Sequence, residues 1–216
     1  MYGLTPYDGH LHVIAHLSEP IDKYVLQDGP SLTSFVQLEM VNGLHQAVEI
    51  QVINGDGTGE NLTGLAHTSG IQTLAFTTNA VRTARAAVTK VETLGFQGYY
   101  YVLNPTDWET VETTQLDAGQ YVLNAEGSRN GVPVDSAARR LWGIPVTVST
   151  AVPAGTGYLL SNGVAQLVTD GGIQTEQSSA IGDSFARNQV HLRVEGRFDL
   201  AVQRPMGVVK MALTGA

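Results

Sequence analysis

A stripe of apolar residues at every fourth position is the feature that most narrows what this chain can fold into. Because an α-helical turn takes 3.6 residues, this spacing winds slowly along one face of a helix. Ser31 can cap the helix, Gly43 weakens it by about 1 kcal/mol, and Asn54-Gly55 is a stop signal. The sequence therefore predicts one long helix over residues 31–53. The stripe consists of Leu32, Val36, Met40, Leu44, Val48 and Val52, widened by Phe35 and Ala47.

Two shorter helices and a strand are predicted downstream. Apolar residues recur at helical spacing between Asn79 and Leu94. Residues 98–103 form an apolar and aromatic run that is typical of a buried strand. Asn104 can then cap a short helix that has Pro105 at its first position.

Residues 11–28 carry signals for a strand and a short helix. Residues 11–17 alternate, which predicts a strand, and Ser18-Glu19-Pro20 predicts a helix start that leads to a stop near Asp28. The strand places histidines on one side and apolar residues on the other: His10, His12 and His16 against Leu11, Val13 and Ala15.

After Asp117 the sequence changes to short strands and turns. Asp170-Gly171-Gly172 predicts a hairpin turn, and residues 183–187 predict one helical turn. Helices early and strands late indicate an α+β fold. The strand candidates are residues 119–123, 139–143, 146–149, 157–160, 164–169, 173–177, 190–203 and 207–213.

Charge is unevenly distributed along these 216 residues, whose formal net charge is −8. Residues 1–81 hold eight acidic residues and one basic residue, whereas residues 82–216 hold twelve and eleven. The acidic balance argues against a face that binds nucleic acid, because Lys and Arg supply most of the affinity for phosphate. Either surfaces simply differ, or an acidic face meets an arginine-rich face of the next subunit in a head-to-tail contact.

Cysteine is absent, which excludes disulfides and thiolate metal sites. No apolar run is long enough to span a bilayer, and residues 1–5 lack the features of a signal peptide. A soluble cytoplasmic protein without a membrane partner is therefore expected.

Motifs for catalysis or ion binding are incomplete. The glycine-rich residues 55–59 end a helix and lack the Gly-Lys-Ser/Thr of a phosphate loop, and Leu65 stands where a calcium loop needs a carboxylate. These residues are predicted to form a mobile turn. No Gly-x-Ser-x-Gly or His-Glu-x-x-His motif is present. Neither an enzyme nor a cofactor or metal site is expected, and the three histidines are expected to be exposed.

Four polar or aromatic residues have structural explanations. Asp107 and Glu109 lie where a helix begins and are expected to interact with the helix dipole. Trp108 and Trp142 are predicted to be core anchors.

Four stretches resemble the major capsid proteins of tailed bacteriophages, a family whose fold encapsulins share. In this order and spacing, the stretches extend through residues 11–213. The resemblance implies the tailed-phage capsid fold, with a long spine helix, a peripheral subdomain and an axial subdomain that contains a central mixed sheet. The stretches are the glycine-rich loop of residues 51–65 after the long helix, Val102-Leu103-Asn104-Pro105-Thr106-Asp107-Trp108, Leu141-Trp142-Gly143-Ile144-Pro145-Val146 with residues 153–156, and Asp183-Ser184-Phe185-Ala186-Arg187-Asn188 with residues 192–205.

This resemblance also implies domain boundaries. Residues 1–17 would be a remnant of an extended loop, because the chain begins about where the returning strand of that loop should be. Residues 18–72 and 176–197 would form the peripheral subdomain, with the spine helix at 31–53. Residues 73–175 and 198–216 would form the axial subdomain.

The implied function is that of a structural subunit of an icosahedral phage or prophage capsid. Such subunits form hexamers and pentamers around double-stranded DNA, which they enclose without reading its sequence. The resemblance also implies a scaffolding protein and a maturation protease as further partners. The host cytoplasm during assembly and then the virion capsid are the expected locations.

Two other functions stay open. An encapsulin-like nanocompartment shell would bind a cargo peptide in a groove. A small α+β hydrolase or ligand-binding domain would need a concave pocket with convergent polar groups.

Inter-subunit contacts are expected between the C-terminal arginines and the acidic first third of a neighbouring subunit. The candidates are Arg187, Arg193, Arg197 and Arg204 on one side and Glu39 and Glu49 on the other.

Some members of the family join a lysine of one subunit to an asparagine of another, with a glutamate as base. The asparagine and glutamate positions match Asn188 and Glu195. The second glutamate of the family is Gly196 here, and none of the three lysines lies on an extended loop. The alternative is that Asn188 ends a helical turn and Glu195 lies on a strand face, where it pairs with an arginine.

Overall fold

The computed structural model describes residues 9–114 and 139–215, and their contacts divide them into two units. The first unit takes in the described residues of Met1–His67 and Leu167–Ala201. The second takes in those of Thr68–Gln166 and Val202–Ala216. Each unit is thus assembled from two separate stretches of chain. The strand predicted at residues 119–123 lies outside the described residues.

A long helix dominates the first unit. In chain order, the elements there are β1 (His12–Leu17), β2 (Ile21–Asp22), α1 (Lys23–Asp28) and α2 (Pro30–Asn54). The returning stretch carries β9 (Gln174–Ser178) and β10 (Gln189–Val202), and β8 (Ala165–Thr169) precedes them. The predicted long helix is confirmed, although Gly29 and not Ser31 is its N-cap residue. The predicted short helix begins later than expected, because the Asp22 carboxylate caps it.

The buried side of α2 is only part of the predicted stripe. Met40 and Leu44 pack with Val194 of β10, and Val48 packs with Leu62 and Phe198. Phe35, predicted to widen this stripe, instead points to solvent and is 59% exposed. The sequence predicted the helix correctly but assigned too much of its circumference to the core.

Strand β10 is the centre of the first sheet, and β1, β2, β8 and β9 all pair with it. The predicted hairpin at Asp170-Gly171-Gly172 is wrong, because β8 and β9 pair with β10 rather than with each other within the described residues. Gly171 and Gly172 have φ values of 147° and 119°, which residues with a side chain rarely adopt. Asp170-Gly171-Gly172 therefore kink the chain between β8 and β9 and do not reverse its direction.

The glycine-rich loop after α2 is not the mobile turn that was predicted. The Gln51 side chain accepts a hydrogen bond from Leu62 N at 3.1 Å and donates to Asn61 Oδ1 at 3.2 Å. Leu65 N and Ala66 N donate to carbonyls of the last turn of α2. These bonds satisfy groups that the end of a helix leaves unpaired.

Asp56 makes this loop sensitive to pH. Hydrogen bonds from Thr58 and from the Asn61 side chain lower the pKa of Asp56 from 3.8 to about 2. A depressed pKa in the folded state means that the stabilisation is complete above the unfolded pKa and is lost as pH falls from about 4 towards 2. We expect Asp56→Asn to lower the melting temperature near neutral pH, and this difference from the parent to shrink at about pH 3. Thermal unfolding at the two pH values tests this, and an unchanged difference would contradict it.

A six-stranded sheet forms the second unit. Its elements are β3 (Gln72–Leu74), α3 (Ala80–Thr93), β4 (Gly98–Leu103), α4 (Pro105–Thr113), β5 (Arg140–Leu141), β6 (Ile144–Val148), β7 (Thr156–Ser161) and β11 (Val208–Ala212). The strand order is β3-β11-β7-β4-β6-β5, with parallel and antiparallel pairs. The predictions for α3, β4 and α4 are confirmed, whereas the short β3 was not predicted.

The core of this unit lies where α3 and α4 pack on the sheet. Trp108 of α4 is buried in it, as predicted. The Tyr101 hydroxyl of β4 donates to Ala84 O of α3 at 2.9 Å, so this tyrosine is buried with its polar atom satisfied. Asp107 lies in the first turn of α4, as predicted, but its carboxylate is also buried and accepts from Gly155 N at 2.8 and 3.0 Å. Burial raises the pKa of this carboxyl.

Candidate assembly surfaces

Three of the four candidate arginines already have carboxylate partners in their own chain. Arg193 lies 2.7 Å from Glu176 and 3.2 Å from Glu195, and Arg197 lies 2.8 Å from Asp170. Arg187 is 3.9 Å from Asp183 at i,i+4 spacing. These pairs are exposed, so each stabilises the fold by at most about 1 kcal/mol. Arg204 is exposed, and no carboxylate of the described residues pairs with its guanidinium.

Glu39 and Glu49 lie on the side of α2 that faces solvent. The exposed residues on that side, which include Glu39 and Glu49, follow helical spacing. We call these residues the outer stripe of α2. Within residues 9–114 and 139–215, neither carboxylate has a hydrogen-bond or ion-pair partner. Leu38 is 59% exposed. The outer stripe consists of Phe35, Leu38, Glu39, Asn42, Gln46, Glu49 and Ile50.

The outer stripe was not predicted, because it lies outside the main apolar stripe at four-residue spacing. Leu38 and Ile50 do not fit the four-residue spacing of the buried side. Apolar residues outside the main stripe were the available signal of a second apolar face.

The two units differ strongly in formal charge. The sequence stretches of the first unit hold thirteen acidic and four basic residues, for a net charge of −9. Those of the second unit hold seven acidic and eight basic residues, for a net charge of +1. No lysine or arginine occurs between Lys23 and Arg82, so α2 has no cation of its own.

Trp142 is exposed, which corrects the prediction that it anchors the core. It occupies the two-residue turn between β5 and β6 with a φ of 56°, followed by Gly143 with a φ of 77°. Two successive residues with positive φ are typical of the tight turns that suit hairpins. A positive φ costs a residue other than glycine roughly 1–2 kcal/mol. The Trp-Gly pair between Leu141 and Ile144 was the signal that could have indicated a turn.

The surroundings of Trp142 are aromatic and basic. Trp142 is 54% exposed and Tyr99 is 56% exposed. Both line a shallow depression of about 620 Å³. Arg140 of the edge strand β5 is exposed, and no carboxylate within the described residues pairs with it. We call Tyr99, Arg140 and Trp142 the aromatic edge.

The structure places Asn188 and Glu195 far apart on one chain. Asn188 ends the turn before β10 with a φ of 55°, and Glu195 lies within β10 beside Arg193. Seven residues of extended chain separate them by roughly 23 Å. Lys23 lines the same depression as Asn188, but Glu195 does not. A cross-link at Asn188 would therefore need its carboxylate base from elsewhere than Glu195 of the same chain.

A buried serine and histidine connect three segments of the first unit. Ser184 Oγ lies 2.9 Å from His191 Nε2, and His191 Nδ1 lies 3.2 Å from Ser18 O. If Nδ1 carries the proton, it donates to Ser18 O while Nε2 accepts from Ser184. Both side chains are buried, so the hydroxyl is not presented to a substrate as a nucleophile would be. The pair was not predicted, because the three segments meet only in the fold.

The histidines near the N-terminus are only partly as expected. His10 and His16 are exposed, whereas His12 is half-buried, with Nδ1 3.8 Å from a Glu60 oxygen. No group of three potential ligands that could hold a metal ion occurs in the described part of the chain. None of the helices described there is long and apolar enough to cross a membrane.

Solved structures of phage capsids share this fold. The chain superposes on a chain from Microbacterium phage Oxtober96 with a TM-score of 0.75 at 13% identity, covering 94% of this chain and 73% of that one. It matches a chain from the phage G major capsid and decoration proteins with a TM-score of 0.73 at 10% identity, covering 98% and 80%. A virus-like particle from Pyrococcus furiosus gives 0.63 at 12% identity, covering 93% and 76%. The fold is therefore the mixed α+β fold of phage capsid chains, as the resemblance predicted.

The sequence comparisons specify the family. The model of the phage capsid family matches residues 8–213. The major capsid protein of Enterobacteria phage HK97 is 30% identical over 207 residues, which are 93% of this chain and 51% of that protein. The chain belongs to the phage capsid family, and it spans about half the length of that relative. The family and this relative indicate a structural rather than an enzymatic protein.

Proposed function

We propose that this chain is the structural subunit of an icosahedral phage or prophage capsid, in which it forms hexamers and pentamers around double-stranded DNA. The observation that carries the proposal is the family match, which extends over nearly all of the chain, from residue 8 to residue 213. The shared fold with a chain from the phage G major capsid and decoration proteins supports it. The negative charge of the first unit suits a wall that encloses DNA without holding it tightly.

Within this proposal, the first unit corresponds to the peripheral subdomain and the second to the axial subdomain. The position of α2 in the first unit supports the first assignment, because α2 would be the spine helix. The mixed six-stranded sheet of the second unit supports the other. The subunit would assemble in the host cytoplasm, with a scaffolding protein and a maturation protease as helpers, and end in the virion.

Charged contacts between neighbouring subunits are part of the proposal. Glu39, Glu49 and Arg204 are exposed and have no charged partner among the described residues, so each could pair with a second copy. Arg193 and Arg197 would first have to give up carboxylates of their own chain. The one carboxylate that pairs with Arg187 in the described part of the chain is that of Asp183, at 3.9 Å, so Arg187 exchanges partners more easily.

Assembly is the test of this function. We expect the protein, expressed from its coding sequence together with the flanking coding sequences, to form rings of five and six subunits and closed shells in electron micrographs. Shells that protect double-stranded DNA from nuclease would favour a capsid, whereas a co-purified enzyme would favour a nanocompartment. If no ring or shell forms while the protein is folded and soluble, the proposal is wrong.

A further inference from the structure

We propose that the outer stripe of α2 binds the aromatic edge of a second copy of the chain. The contact pairs Phe35, Leu38 and Glu39 of one copy with Tyr99, Arg140 and Trp142 of the next. This inference rests on the proposed function, since it names a contact through which subunits associate.

Exposed apolar side chains are present on both surfaces of the proposed contact. Met40 and Leu44 are buried on one side of α2, whereas Phe35 and Leu38 form a second apolar side that is exposed to solvent. A helix that is apolar on both sides is typically covered on both. Tyr99 and Trp142 present a comparable exposed surface on the second unit. Tryptophan and tyrosine in such positions are the residue types that contribute most to protein interfaces.

The two surfaces are also complementary in charge. Glu39 lies within one helical turn of Phe35, and no cation in the described residues pairs with it. Arg140 lies two positions before Trp142, and no carboxylate there pairs with it. Its guanidinium can form a forked bond to a carboxylate and stack on an aromatic ring. One surface is thus apolar and acidic, and the other is aromatic and basic.

Two of the four C-terminal arginines fit this stripe less well. Arg193 and Arg197 are exposed but already bound to carboxylates at 2.7 and 2.8 Å. A new pair with Glu39 would replace an existing one and would gain little. Within residues 9–114 and 139–215, Arg140 has no carboxylate partner to lose. Arg204 has none there either, but Arg140 lies two positions from the exposed Trp142.

The symmetry of the contact agrees with ring formation. The two surfaces are different parts of the chain, so each copy uses one surface towards the preceding copy and the other towards the next. Such a heterologous contact generates a closed ring when the rotation between copies closes. A contact of this kind is what hexamers and pentamers require.

A charge exchange tests the pairing. We expect Glu39→Arg and Arg140→Glu each to lower the association constant of capsomers about tenfold or more, because each places like charges together. The double variant should recover most of the loss. The controls are Glu109→Arg and Arg82→Glu, which change exposed charges outside the two surfaces and should leave association unchanged. Melting temperatures of the unassembled variants separate loss of contact from loss of folding.

Chemical cross-linking tests the proximity independently. The chain has no cysteine, so single cysteines can be introduced into a clean background. Asn42→Cys lies on the outer stripe, and Thr147→Cys lines the depression beside Trp142. We expect a short bismaleimide reagent to join the two variants into dimers when they are mixed and assembled, and not when either is treated alone.

The outcomes separate the two proposals. If the parent assembles but the charge variants associate normally and the mixed cysteines do not cross-link, this contact is wrong and the capsid function stands. If single charge variants weaken assembly and the double variant does not recover, Glu39 and Arg140 are not partners. If the folded parent forms no capsomer, both proposals fail.

Discussion

Replacing Leu44 by alanine is expected to lower the free energy of unfolding by about 2–5 kcal/mol. The Leu44 side chain is 0% exposed and lies between α2 and β10, in contact with the cluster of Met40 and Val194. Removing three carbon atoms there loses their burial and leaves a cavity that the long helix cannot easily close. The effect is measured by chemical denaturation of the unassembled chain.

Leu38→Ala is the matched control, because it makes the same change six residues earlier on the same helix. Leu38 faces solvent, so its loss should change the free energy of unfolding by no more than about 0.5 kcal/mol. The same variant should nevertheless weaken capsomer association if the outer stripe binds a second copy. Equal destabilisation by both variants would show that the buried side of α2 is assigned wrongly.

Gly64→Ala is expected to destabilise the chain by about 3 kcal/mol. A Cβ atom at this position would lie 2.6 Å from Gly55 N, 2.7 Å from Gln51 O and 2.9 Å from a carbonyl carbon of α2. All three atoms belong to the backbone, so no side-chain rotation relieves the overlap. For a chain of this size, a loss of this magnitude lowers the melting temperature by on the order of 10 °C.

Gly43→Ala provides the contrast for this variant. The nearest atom to a Cβ at Gly43 is His16 Nε2 at 2.9 Å, the far end of a side chain that can move. Alanine also favours the interior of a helix over glycine by about 1 kcal/mol. Gly43→Ala should therefore melt within a few degrees of the parent. A Gly64→Ala variant that behaves like Gly43→Ala would contradict the tight packing of the loop on α2.

The sequence predicts elements well where the signal is local. The stripe through Leu44, the Asn104 cap and the aromatic run of β4 each depend on neighbours within a few residues, and all three are confirmed. The same local signals could not show that Trp108 is buried and Trp142 exposed. One is buried and the other exposed, because a two-residue turn lifts Trp142 away from the sheet.

Long-range features could not be predicted. The kink at Asp170-Gly171-Gly172 has the composition of a hairpin turn. The structure shows a kink and not a hairpin turn because both flanking strands, β8 and β9, pair with β10. The contact of Ser184 with His191 and Ser18 joins residues that no periodicity relates. For the candidate assembly surfaces, the sequence indicated Glu39, Glu49 and the C-terminal arginines, but not Arg140 and not which of the arginines pair within the chain.

The division of each unit into two stretches has a consequence for synthesis on the ribosome. Leu44 is made about 150 residues before Val194, the β10 residue that covers it. At 5–20 residues per second, the apolar side of α2 waits roughly 8–30 s for that strand. During this interval both apolar sides of the helix are exposed on every nascent chain. The long helix is thus the segment through which nascent chains would bind chaperones or aggregate with one another.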